Sequence, residues 1–187
     1  MRIVFLLVTV CGLLAMAPDS VVASLAYDRD ALRAGEAWRL WSAHWVHFSA
    51  AHAATDMLVL SLAALLAERE LGAPTTGGAL LVGAPLVSVA LWLWVPDLQV
   101  YAGSSAFASL LACAGGAALW RRAPRLRPVL AGACLLFLAR IGLDANGGGA
   151  ALSVLPPGVH VAWQAHVVGA VLGGMLGACR LGWTDRS

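Results

Sequence analysis

The sequence predicts an all-α, polytopic membrane protein. Three observations carry that expectation: its composition, the recurrence of long apolar runs, and the side on which its arginines fall. Of 187 residues, 60% are hydrophobic and 12% charged, and the mean hydropathy is +0.81. A soluble domain carries about 25% charged residues. So much apolar surface exceeds what one packed core can hide, which leaves lipid as the solvent for most of the exterior. The formal net charge is +2, and the arginines are scattered rather than striped along one face, so no nucleic-acid partner is expected. Cys11, Cys113, Cys134 and Cys179 each sit inside an apolar run without C-x-x-C or Cys/His spacing. They read as small hydrophobes, and neither disulfides nor a metal site is expected.

Six apolar runs approach the ~20 residues that a helix needs to cross the hydrocarbon: 3–23, 52–71, 77–95, 103–120, 126–143 and 163–181. The first follows Met1-Arg2 and closes on Val22-Ala23-Ser24. That pattern fits a cleaved secretory signal, which would leave five spans, and equally a retained helix, the reading that gives a self-consistent orientation. The link 24–51 starts polar and turns aromatic and basic through Trp38, Arg39, Trp41 and Trp45, as a segment lying at the membrane interface would. Gly72-Ala73-Pro74 closes the second run and Pro96-Asp97 the third. Arginines 121–127, with Pro124, end the fourth, and a glycine- and proline-rich stretch, 146–158, separates the fifth from the sixth. Trp92 and Trp94 read as further interfacial belt residues. Without an internal repeat or a second composition class, residues 1–187 form one membrane domain.

With the N-terminus in the cytoplasm, Arg2, Arg69, Arg121, Arg122, Arg125, Arg127, Arg180 and Arg186 fall inside, against Arg29, Arg33 and Arg39 outside. This is a positive-inside distribution, and it puts the C-terminus in the cytoplasm too. Arg140 lies within the fifth run and shares a helix face with Asp144 at i, i+4, so the two are expected to pair.

Polar groups inside spanning helices are costly and mark function by default. In this orientation His52 and Asp56 open the second run, Ser104-Ser105 the fourth and His166 the sixth, all from the outer face. At ~1.5 Å rise per residue they sit at one depth, about 5–10 Å below that surface. His52 and Asp56 are four apart and share a face. Ser105 lies in a first helical turn, where free N–H groups and the helix dipole favour an oxyanion. Gly169, Gly173 and Gly177 follow His166 at G-x-x-x-G spacing, which lets two helix backbones approach closely. Packed against the small-residue helix of Gly103, Ala106, Ser109 and Ala112, that stripe would bring His166 within hydrogen-bonding reach of Ser105. His44, His47 and His160 read as interfacial, with His47 also able to hydrogen-bond the first loop.

At these residues the sequence resembles the rhomboid intramembrane proteases. Trp38-Arg39 and the stretch from His47 through His52 to Asp56 look like the family's aromatic-Arg loop and the start of its second core helix. Tyr101-Ala102-Gly103-Ser104-Ser105-Ala106 looks like its G-x-S-G nucleophile motif, and Ala165-His166-Val167-Val168-Gly169 with Gly173 like its A-H-x-x-G-x-x-x-G helix. The short chain, the run from Trp38 to His47 and the Y-A-G-S-S segment look most like the rhombosortase subgroup, which is associated with proteins bearing a C-terminal Gly-Gly sorting tail. The resemblance implies a six-helix rhomboid-like bundle in the cell's inner (plasma) membrane that cleaves transmembrane or membrane-proximal segments near the outer face, without a cofactor. It implies a Ser105–His166 dyad, with Ser104 as fallback nucleophile, and an oxyanion held by the Ser105 N–H, by His52 and by the side chain at position 56, beside Gly103.

Three positions depart from the family pattern. Asp56 stands where the family usually has Asn, so it must either stay protonated to donate or instead orient His52. Ala106 replaces the motif's last glycine and is expected to narrow the space beside the nucleophile. Ser109 occupies a position often held by an aromatic or His that packs on the catalytic imidazole. The Asp56 and Ala106 departures are what a non-cleaving rhomboid-like protein that binds transmembrane clients would have. A transporter would need ionisable groups through the full membrane depth, and here they gather at one side.

Overall fold

The computed structural model describes residues 2–148 and 161–179. A central helix, α7 (Ser105–Arg122), runs between α5 (Ala50–Leu71) and α9 (Trp163–Cys179), which pack on it from two sides. The helices α1 (Arg2–Leu14) and α6 (Ala73–Trp94) close around this trio, and α8 (Arg127–Ala145) lies outside it. The first half of α7 is buried on every side, from Ala106 through Leu111, and burial continues at Ala114 and Gly115. Screened from lipid by its neighbours, this helix can be built from Ala, Gly and Ser.

The expected runs are helical over most of their length. Among the described residues, three stretches are long and apolar enough to cross a membrane: Ala50–Leu71, Ala73–Trp94 and Pro124–Ala145; α1 and α9 are apolar but shorter. The first run is not one helix through residue 23. It ends at Leu14, turns, and resumes as α2 (Asp19–Leu25) after Pro18. Proline has no N–H for the helical ladder and disfavours helical backbone in the residue before it. The N–H groups of Met16 and Ala17 instead close tight turns on Leu13 and Leu14, at 3.2 and 3.1 Å. Further up α1, Leu7 and Cys11 are buried, and Leu7 enters a cluster with Leu60, Ala63, Ala64 and Phe107.

The link expected at the interface folds as a cap over the end of the bundle at which α5, α7 and α9 begin. Its α3 (Arg29–Arg33) begins on Asp28, whose carboxylate accepts the N–H groups of Asp30 and Ala31, and α4 (Arg39–Ser42) follows. The all-α expectation has one small exception: β1 (Tyr27–Asp28) pairs antiparallel with β2 (Val100–Tyr101), Tyr27 opposite Tyr101. This ladder ties the cap to the segment leading into α7.

Two arginines of this cap, Arg29 and Arg39, are buried ties rather than solvated charges. Arg29 donates to the carbonyls of Trp92, Val95 and Leu98 at 2.9, 2.8 and 3.1 Å, satisfying the C-terminal end of α6. Arg39 donates to the carbonyls of Ala23 and Ala26, both at 2.6 Å, and pairs with Glu36. Trp41 and Trp94 are exposed as belt residues should be. Trp45, packed edge-on against Phe107, and Trp92, under the Arg29 guanidinium, are drawn inward. At the other end of the bundle Arg122 makes a two-pronged pair with Glu70 at 2.8 and 2.6 Å, joining α7 to α5. The four cysteines are free.

Candidate active site

The site is assembled where α5, α7 and α9 begin. Ser49 caps α5 by accepting the His52 N–H at 3.1 Å, which sets His52 and, one turn on, Asp56 toward the start of α7. Gly103 carries the chain past them. Its φ of +135° is one that L side chains rarely adopt, and a Cβ there would lie 3.1 Å from both Asp56 Oδ2 and His52 Cε1. Both polar groups of its backbone are held: its N–H donates to the Ala43 carbonyl at 3.0 Å, and its carbonyl accepts the Tyr101 hydroxyl at 2.9 Å. The next amide, of Ser104, donates to Asp56 Oδ2 at 2.9 Å. Ser105 then opens α7.

His166 reaches Ser105 because nothing larger than hydrogen intervenes between α7 and α9 at the glycine positions. A Cβ at Gly169 would run into the Ala106 carbonyl, and one at Gly173 into the Leu110 carbonyl. At Gly177 it would lie 2.7 Å from the Ala117 methyl and 3.0 Å from the Ala114 carbonyl. These partners ascend together along both chains, so the two helices run parallel and their N-terminal turns lie at the same end. There His166 Nε2 stands 2.9 Å from Ser105 Oγ. With the proton on Nδ1, Nε2 accepts from the serine hydroxyl, the arrangement in which an imidazole activates a nucleophile.

Ser105 and His166 open onto a cavity of about 320 Å³. His52, Asp56, Thr55 and Ser109 supply its polar wall, with Phe48, Val59, Val100 and Phe137 as the apolar one. Arg140 reaches it from α8 and, as expected, pairs with Asp144, Nε to Oδ2, at 3.0 Å. The expected site residues Ser105, His166, His52, Asp56 and Gly103 are therefore brought together. Among the described residues, no group of His, Cys, Asp and Glu is placed to hold a metal ion.

The rhomboid-domain family model matches residues 34–183, a stretch that contains all five. The chain belongs to the rhomboid family. Rhomboids are, as a family, intramembrane serine proteases acting on membrane-protein substrates within the bilayer. No curated protein matches the sequence significantly.

Set against the rhomboid pattern, two of the three departures look different in the structure. The Ala106 methyl does not narrow the cavity: the residue is fully buried in a cluster with Tyr27, Val87, Leu91, Tyr101 and Ala165 and contributes nothing to the lining. Asp56 faces donors. Its Oδ2 takes the Ser104 amide and lies 3.4 and 3.5 Å from the Nε2 atoms of His47 and His52. Such an oxygen accepts, and the geometry is that of a group orienting His52 and the loop that leads into α7. Ser109, the third departure, donates to the Ser105 carbonyl at 3.0 Å within its own helix.

The interfacial reading of His44 and His47 is wrong. Both are buried. His47 Nε2 lies 3.2 Å from Ser104 Oγ, so Ser104 faces away from His166 and serves the loop. His44 stacks on Phe107 and reaches the Ala84 carbonyl at 3.1 Å and Ser88 Oγ at 3.0 Å. Ser88 donates onward to the Leu40 carbonyl, so its oxygen accepts from His44 Nε2. Burial pushes the His44 pKa down to about 4, which keeps the imidazole neutral. His160 lies outside the described residues, as do Arg180, Arg186 and most of the 146–158 link.

Proposed function

We propose that this rhomboid is an active intramembrane serine endopeptidase that uses a Ser105–His166 dyad. The supporting observation is the 2.9 Å separation of Ser105 Oγ and His166 Nε2 at the mouth of a cavity. In this reading Ser105 Oγ attacks the scissile carbonyl as its proton passes to Nε2. The tetrahedral oxyanion is stabilised by the Ser105 N–H in the first turn of α7 and by His52. The imidazolium then protonates the leaving amine, and water, activated by the same imidazole, hydrolyses the acyl-enzyme. Asp56 acts by fixing the loop and the His52 ring rather than by donating to the oxyanion.

The reading extends to six spans, with α1 inside the working bundle through buried Leu7 and Cys11 and α7 crossing despite its modest apolarity because its neighbours screen it. It puts both termini in the cytoplasm of a plasma-membrane protein, supported by the gathering of Arg69, Arg121, Arg122, Arg125 and Arg127 at the ends of α5 and α7 away from the dyad. The substrates are then transmembrane or membrane-proximal segments near the outer face. The Y-A-G-S-S segment and the run from Trp38 to His47 favour a rhombosortase-like preference for C-terminal Gly-Gly sorting tails.

A serine-reactive fluorophosphonate tests the dyad directly. It should label Ser105, as mapped by mass spectrometry, and labelling should vanish in Ser105→Ala and fall at least about a hundredfold in His166→Ala. Equal labelling of all three proteins would remove the protease reading. One observation favours the non-cleaving alternative: an acidic group at Asp56, beside His52, sits close to where negative charge must develop. Labelling of Ser105 without cleavage of any membrane substrate would be its signature.

A further inference from the structure

We infer that Arg140 forms a carboxylate-recognising subsite beside the nucleophile, so that substrates bearing a carboxylate within a few residues of the cut are preferred. This inference rests on the proteolytic reading above. Arg140 stands about 8 Å, five residues at the helical rise, from the outer end of α8, and lines the same cavity as Ser105 and His166. Among the described residues lining that cavity it is the only arginine or lysine.

A cation at this depth is costly, and a purely structural ion pair would be expected to repay the cost by tying elements together. This one does not. Its partner, Asp144, lies on the same helix, four residues on, and Asp144 is the only residue that α8 buries. The guanidinium commits Nε to Asp144, and no hydrogen bond engages its two terminal nitrogens among the described residues. The side chain keeps 33% of its surface, while that of Asp144 is fully buried with Oδ1 unpartnered. Asp144 thus holds the guanidinium by one edge and leaves the other free in a largely apolar cavity. A free guanidinium edge matches a carboxylate with two parallel hydrogen bonds. That carboxylate could come from an acidic side chain or from a substrate's own C-terminus.

The test uses the full-length protein in detergent with membrane-segment reporters. Once a reporter cut in a Ser105-dependent manner is mapped, residues flanking the cut are changed singly to Asp or Asn, and short reporters ending near the cut are made with free or amidated C-termini. The wild type should cleave the carboxylate member of one pair about tenfold faster in kcat/KM, and the pair that responds identifies the carboxylate's source. The ratio should collapse to near unity in Arg140→Gln and in Arg140→Gln/Asp144→Asn, which removes both charges of the pair together, and should survive in part in Arg140→Lys. These variants are compared only where Ser105 still takes the fluorophosphonate. Equal rates on both members of every pair by the wild type, or a preference that persists in the double variant, would overturn the subsite while leaving the protease intact. Absence of any Ser105-dependent cleavage or labelling would instead sink the protease reading and this inference with it.

Discussion

Two helices that flank the cavity are attached in opposite ways. α9 lies against α7 with three glycines over three backbone carbonyls, so closely that a single methyl has nowhere to go. α8 lines the same cavity through Phe137 and Arg140 but buries only Asp144, and a Cβ at its Gly132 would meet nothing within 4 Å. The contrast teaches where this fold fixes position. The two groups proposed to exchange a proton sit on the pair of helices with no slack, whereas the helix proposed to present side chains toward a substrate is left loosely packed. Tolerance in the second place is compatible with function only because the first place has none.

The sharpest way to break the comparison is to make one substitution on each side. Gly173→Ala puts a methyl into the Leu110 carbonyl and should separate Ser105 from His166, lowering fluorophosphonate labelling by about a hundredfold, the scale expected for a displacement of roughly 1 Å. A Gly173→Ala protein that labels at the wild-type rate would mean that the contact is not what positions the base. Next in size, Gly103→Ala combines a disfavoured φ with crowding against His52 and Asp56. It should cost about 2 kcal/mol of stability and slow labelling at once, and thermal melts run beside labelling kinetics would show whether the two losses travel together.

A smaller effect concerns acid. The folded-state pKa of His44 lies near 4, below the ordinary 6.5, so the folded protein takes up this proton less readily than the unfolded chain. The stability contributed by neutral His44 is complete above about pH 6.5 and falls, by up to roughly 1.4 kcal/mol per pH unit, as pH drops toward 4. Urea melts at pH 7 and pH 5 should show this decline steeper in the wild type than in His44→Gln; parallel slopes would remove His44 as the cause. Smallest of all, Gly132→Ala on α8 should leave labelling within twofold and raise stability by up to about 1 kcal/mol through helix propensity. A large loss there would mean that α8 is more tightly held than its packing implies.

The candidate site was legible because lipid makes polar residues conspicuous: Ser105, His166, His52 and Asp56 each interrupt the start of an apolar run, and the glycine spacing after His166 announces a close helix contact. The cap was not legible. Nothing local to His44 reveals that its partners are the carbonyl of Ala84 and the hydroxyl of Ser88, 40 and 44 residues away. Nor can spacing tell a buried arginine bound to carbonyls, such as Arg29, from a solvated one. Asp56 was recognised as part of the site, but whether its oxygen donates or accepts depended on the Ser104 amide, whose direction is set by the turn at Gly103. The helix break at Pro18 was written in the sequence and was outweighed by the hydropathy on either side of it.

The glycines of α9 also act as a stop against sliding. Because they and the carbonyls they cover recur every four residues, moving α9 by one helical turn would line up most of the same contacts and strand His166 away from Ser105. What forbids the step toward the far end of α7 is that the stripe is finite. One turn before Gly169 the sequence has Ala165, and a slip of α9 in that direction would drive its methyl into the Ala106 carbonyl now faced by Gly169. The alignment of Ser105 and His166 is thus encoded in part as a short row of gaps with a plug at its first turn, and an Ala165→Gly exchange would remove that plug.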